Sequence, residues 1–215
     1  MSVTDLRVTS RSTVRRHRER ATYDRSVVNS VLDESLICHV GFAVDGKPFV
    51  IPTIHARVDD RLYLHGAPAS HMLNSLGDGV EACVTATLVD GLVLARSAFH
   101  HSLNYRSVCV FGWATAVTDR AEKVAALDAL VEHVLAGRSA SVRPPSEKEL
   151  SGTLVLRLPI DEASAKVRTG PPIDDQEDIG LDVWAGVVPL RTIIDRPIPA
   201  PDLPRHVSHG LFGRP

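Results

Sequence analysis

The stretch Arg61-Leu-Tyr-Leu-His-Gly-Ala-Pro-Ala-Ser70-His-Met-Leu-Asn-Ser-Leu76 decides how the rest of the chain is read. Leu62 and Leu64 alternate with Tyr63 and His65, the period-two pattern of a strand with one buried face. Gly66, Ala67 and Pro68 end it. Ser70 then stands where an N-cap belongs, ahead of Met72, Leu73 and Leu76 at helical spacing. A helix start with a hydroxyl and free backbone N–H groups suits an anion. His65 is a group that titrates near neutral pH at the end of the neighbouring strand. The same residues also suit a plain strand-to-helix joint with a structural histidine.

Upstream, Val27, Val28, Val31, Leu32 and Leu36 recur at helical spacing over 26–36, with Ser26 as cap. A strand is expected over Ile37–Val44, a hairpin turn at Asp45-Gly46-Lys47, and a partner strand over Phe49–Val58. Pro52 inside that strand calls for an edge, a bulge or an N–H the ladder does not need. With Arg61–His65 these make an antiparallel meander. Downstream, Gly77-Asp78-Gly79 stops the short helix. Strands follow over Val80–Val89 and Leu92–Ala98, turning at Asp90-Gly91, and over Asn104–Val117. Asp119 to Leu135 reads as an amphipathic helix with Val124, Leu127, Leu130, Val131 and Val134 on one side. Pro144-Pro145-Ser146 opens a helical turn, and Thr153–Ile160 is a last strand. From Asp161 the chain reads as irregular, with one apolar island at 181–190.

This is a mainly β chain with flanking helices (α+β), its six or seven strands forming a closed or partly closed antiparallel barrel. Three segments are expected: an N-terminal arm over 1–24, a barrel over 25–160, and an irregular C-terminal extension over 161–215 packing on the barrel or a dimer interface. The Arg-rich arm is expected to order only against a partner subunit.

With 215 residues, 44% hydrophobic and 23% charged, the composition is that of a globular protein. A net charge of −2 argues against a nucleic-acid binder. Cys38, Cys83 and Cys109 are odd in number and set in apolar runs, as buried reduced thiols are. No apolar run approaches the ~20 residues of a membrane span, and the Arg- and Glu-rich start lacks a secretory h-region. A cytoplasmic location without membrane partners is expected.

Ten histidines raise the question of a metal. No His-Glu-x-x-His and no paired Cys occurs, so no metal site is expected. Gly-x-Ser-x-Gly, Gly-x-Gly-x-x-Gly and Walker patterns are absent too. In His100-His101-Ser-Leu-Asn104-Tyr105-Arg106-Ser107, polar side chains crowd the approach to an apolar strand. They suit a fork toward a planar ring or a phosphate, or a hydrogen-bonded loop at a dimer seam.

Four stretches carry a family resemblance: Pro48-Phe-Val-Ile-Pro-Thr53, Leu62-Tyr-Leu-His-Gly66, Asn104-Tyr-Arg-Ser-Val-Cys-Val-Phe-Gly112 and Arg143-Pro-Pro-Ser-Glu-Lys-Glu-Leu150. In this order, over about residues 25–190, the chain resembles the FMN-binding split β-barrel superfamily and its pyridoxamine 5'-phosphate oxidase-like family, nearest the Nim-type nitroimidazole-resistance proteins. The resemblance implies a six-stranded split barrel in a domain-interlocked homodimer, with FMN at the subunit interface. It puts the flavin against Ile51, Pro52 and Thr53, lines the site with His65 and Gly66, and sets Ser70, His71 and Met72 at the phosphate. Tyr105, Arg106, Ser107 and Trp184 complete the cofactor-binding set, with His65 as the functional residue and Arg57, Arg96 or a partner's arginine as the source of positive charge. Two departures stand out. His71 and Met72 replace the basic residues that the oxidases carry, and the oxidases' substrate-phosphate motif is absent from the Lys166-Val-Arg168 region.

Two functions follow from the resemblance. One is an FMN-dependent oxidoreductase acting on a small molecule, with His65 as proton donor near the flavin. The other is a non-catalytic flavin or haem carrier or sensor, with His65, His71, His100 or His101 as an iron ligand.

Overall fold

The structure is a computed structural model and describes residues 5–204. The parts of the expected arm and C-terminal extension at 1–4 and 205–215 lie outside the described residues. In chain order the main elements are β1 (Ala21–Thr22), α1 (Arg25–Glu34), β2 (Ile37–Val44), β3 (Lys47–Val58), β4 (Arg61–Gly66), α2 (His71–Gly77), β5 (Glu81–Leu94) and β6 (Ser102–Trp113). They continue as β7 (Thr115–Ala116), α3 (Arg120–Val134), α4 (Glu147–Ser151), β8 (Leu154–Pro159), β9 (Glu162–Arg168) and β10 (Gly186–Pro189).

Among the described residues ten strands form one antiparallel sheet in the order β1-β9-β6-β5-β2-β3-β4-β8-β7, with β10 also on β5. The count exceeds the six expected. Only Ala114 separates β7 from β6, so the last strand of the path continues its third.

The β2–β3 turn is the expected one. Asp45 and Gly46 both have positive φ, and Val44 pairs directly with Lys47, so the loop has two residues. β3 is then shared lengthwise: residues 47–54 pair with β2 and residues 55–58 with β4. The second edge of 47–54 is unpaired among the described strands, which accommodates both Pro48 and Pro52. This part of β3 is solvent-facing, with Val50 63% and Ile51 and Ile54 each 39% exposed.

β4 departs from the half-buried pattern, since Leu62, Tyr63 and Leu64 are all buried. Leu62 and Leu64 join the main core with Val28, Leu32, Val40, Leu73 and Leu156. Tyr63 faces the other way, into a smaller cluster with Val117, Ala126 and Val155 under α3. Its hydroxyl donates to Glu122 at 2.9 Å, which satisfies the buried phenol. A helix on each face makes β4 an interior strand.

Four local expectations are corrected. Asp24, not Ser26, caps α1, accepting from the Ser26 N–H at 2.8 Å. Asp90-Gly91 is a bulge inside a continuous β5, not a turn. A Cβ on Gly91 would stand 3.2 Å from the Val188 carbonyl oxygen, so β10 can lie alongside only because that side chain is missing. The chain is not irregular after Asp161, because β9 is central to the sheet on β6 and β10 lies on β5. The arm does not wait for a partner: Leu6 and Ser12 are buried, and Arg11 pairs with Glu162 and Glu81 of its own chain. No helix among the described residues is long and apolar enough to cross a membrane.

Candidate functional site

β4 delivers His65 and Gly66 to a corner where the chain turns into α2. Ser70 caps α2 as expected, accepting from the Leu73 N–H at 3.4 Å. The turn before it is tied by Asn74, whose Nδ2 donates to the Pro68 carbonyl at 2.9 Å. Gly66 sits tightly over the helix, since a Cβ there would lie 3.0 Å from Leu73 Cδ1. The two residues after Ser70 differ in their surroundings: His71 is exposed and Met72 is buried. Met72 is buried in the core, leaving only its backbone to the corner, and His71 packs on Phe49 and Phe42, ring centroids 5.1 and 5.9 Å away.

His65 lines a cavity of about 570 Å³ on the outer side of β3 and β4. Ile54 lines it from β3, and Leu127, Leu130, Val131 and Val134 line it from α3. Val142 and Pro145 line it too, with Asp128, Arg138, Arg143 and Glu149 among the polar residues. Such a volume and mostly apolar lining suit a cofactor-sized molecule. Nδ1 of His65 is enclosed without a hydrogen-bond partner. No described hydrogen bond involves Nε2 either, so that nitrogen is left for a ligand. Burial lowers the pKa of His65, which keeps the imidazole neutral and able to coordinate or accept.

The remaining expected residues are dispersed. Ile51, Pro52 and Thr53 lie on the exposed part of β3, next in line to Ile54. Tyr105, Arg106 and Ser107 lie on β6, separated from β3 by β5 and β2, about 14 Å of ladder spacing. One protomer does not bring them to His65. Arg106 is not a free cation, because its guanidinium donates to both Asp90 oxygens at 2.9 and 2.7 Å and is also paired with Glu34. Arg57 is likewise held by Asp33, at 2.8 and 2.6 Å, and by the Asp59 carbonyl. It pairs opposite Leu62, about 13 Å along β4 from Gly66, so it does not reach the Ser70 corner. Trp184 is 64% exposed and folds against Gly186 on the β10 side.

Of the other histidines weighed as ligands, His100 faces Asp175 at 3.0 Å and His101 Nδ1 bonds the Ser97 carbonyl at 2.9 Å. Among the described residues no group of three or more His, Cys, Asp or Glu is arranged to hold a metal ion. What the sequence reading missed is the α3 wall. Its apolar stripe was read only as one side of an amphipathic helix, yet of α3 only Ala126 and Leu130 are buried, and Val134 is 54% exposed. The surplus of large apolar residues over what a half-covered helix buries was the available signal.

Known proteins resemble this chain in sequence and fold. The family model described as pyridoxamine 5'-phosphate oxidase matches residues 24–167. The flavocytochrome Anf3 from Azotobacter vinelandii is 40% identical with a TM-score of 0.87, over 94% of each chain. The FAD and haem binding protein from Mycobacterium smegmatis is 38% identical with a TM-score of 0.84, over 88% of this chain and 93% of that one. A Bacteroides thetaiotaomicron protein named for 5-nitroimidazole antibiotic resistance is 25% identical with a TM-score of 0.57, over 68% of this chain and 86% of that one. The comparison with curated proteins gives no match.

Proposed function

Because the chain belongs to the pyridoxamine 5'-phosphate oxidase family, we propose that it is a redox protein binding a flavin and a haem. The observation that carries this reading is the similarity, over 94% of both chains, to a flavocytochrome. It extends beyond the residues that the family model matches. The second relative, named for FAD and haem, supports the same pair of cofactors.

The residues present fit both groups. For the flavin, residues 51–53 offer an apolar surface and a strand edge whose backbone groups have no partner strand. That suits a flat ring with hydrogen-bonding edges. The Ser70 corner is the place for its first phosphate, which FMN and FAD share. In a homodimer with a split barrel in each subunit, Tyr105 and Ser107 would come to the same flavin from a second copy. For the haem, His65 offers a neutral ring nitrogen on an apolar cavity. When bound, the flavin supplies two-electron and one-electron transfer and the haem iron one-electron or dioxygen chemistry, toward a small-molecule substrate. The chain holds, orients and shields them.

The test is spectroscopic. The purified protein is expected to show flavin absorbance and a Soret band, and the mass of the released flavin assigns FMN or FAD. His65→Ala is expected to abolish the Soret shift on haem addition while flavin remains bound. A protein that takes up no flavin on titration overturns the reading.

A further inference from the structure

The cavity beside His65 is lined mostly by apolar groups, and two arginines line it as well, Arg138 and Arg143. They differ in what holds them. Arg143 is held by Glu149 in a two-pronged pair, at 2.8 and 2.6 Å, which also keeps the Glu149 carboxyl well below its usual range. Arg138 has no side-chain hydrogen bond or ion pair among the described residues. Its position is nonetheless fixed through the backbone. Glu132, on the last turns of α3, accepts the N–H of Gly137 at 2.5 Å and that of Ser139 at 2.7 Å, one on each side of Arg138. Gly137 takes φ +80°, a conformation that glycine adopts at little cost, and so turns the chain off the helix and over the cavity. One carboxylate thus pins a three-residue loop whose middle residue is an unpaired guanidinium.

A molecule filling this cavity needs an apolar body, and an anionic end where Arg138 stands. Asp128 lines the cavity from α3 and also has no partner among the described residues, so the anion is repelled from that side. We infer that Arg138 is the counter-charge for a carboxylate of the cavity's ligand. On the haem reading above, on which this inference rests, that group is a propionate. Glu132 is the positioning residue that holds the loop for it.

The full-length protein and its variants are titrated with haem and, in parallel, with haem whose propionates are methyl esters, following the Soret band. Arg138→Ala is expected to weaken haem binding by about tenfold and to leave the diester unchanged. Arg138→Lys is expected to recover part of the loss, and Glu132→Gln to weaken haem selectively, as Arg138→Ala does. Equal losses for both porphyrins, or none for either, overturn the role of Arg138 while the haem site stands. A wild-type protein that shifts neither Soret band overturns the haem reading and this inference together.

Discussion

The imidazoles of His55 and His133 stand 4.7 Å apart, centroid to centroid, and each donates from Nε2 to a carbonyl at the end of α1. His55 bonds Leu32 O at 3.0 Å and His133 bonds Ser35 O at 2.8 Å. Through this pair β3 and α3 are both fastened to α1. His55 is fully buried and its Nδ1 has no partner, so the ring is held neutral.

Burial, opposed by the Leu32 bond, pushes the His55 pKa down from 6.5 to about 4. Below pH 6.5 the unfolded chain takes up a proton that the folded chain refuses. Stability is therefore full above that pH and lost as pH falls toward about 4, by on the order of 3 kcal/mol. Urea midpoints measured across this window are expected to drop, and His55→Gln is expected to flatten the slope. An unchanged slope in the variant places the loss elsewhere.

Arg57 was the cation expected at the flavin phosphate, but it is engaged with Asp33. Arg57→Ala is expected to lower stability by about 1 kcal/mol, the upper range for a part-exposed pair, and to leave flavin affinity unchanged. A fluorescence titration of flavin against both proteins checks this. A large loss of affinity would restore Arg57 to the site.

Ser70 has two expected roles that separate by measurement. Loss of the cap in Ser70→Ala is expected to cost about 1 kcal/mol in chemical denaturation. If the hydroxyl also meets the flavin phosphate, the same variant binds FMN more weakly than riboflavin controls predict.

Gly91→Ala pushes a methyl against the Val188 carbonyl at 3.2 Å and the Val187 side chain at 3.0 Å. A cost of about 1–3 kcal/mol is expected, typical of overpacking, and concentrated on β10. Limited proteolysis should then cut the segment after β9 faster, with the remaining sheet intact.

Where the sequence reading succeeded, the signal was local. β2 was placed at its observed bounds because Asp45-Gly46 enforces positive φ beside an apolar run. The caps at Ser70 and Asp119 followed from residue type and spacing. β9 went unread because Glu162-Ala-Ser-Ala-Lys-Val-Arg168 is rich in small residues. Ala163 and Ala165 bury against β6 without a β-branched signature. The site was less legible, since charge cancellation depends on contacts far apart in sequence. Arg57 meets Asp33 across 24 residues and Arg106 meets Glu34 across 72. The His65 cavity is assembled from β3, β4, α3 and the segment before β8, and no single window of sequence contains it.

Thr9 hydrogen-bonds Glu162, 153 residues further along, and β1 lies on β9 rather than on any strand near it in sequence. Residues 5–20 precede in the chain every strand that they touch. Their contacts with β9 form only after Arg168 has been made. An early segment is therefore held by a late strand, and its docking on β9 reports that the sheet has been built as far as that strand.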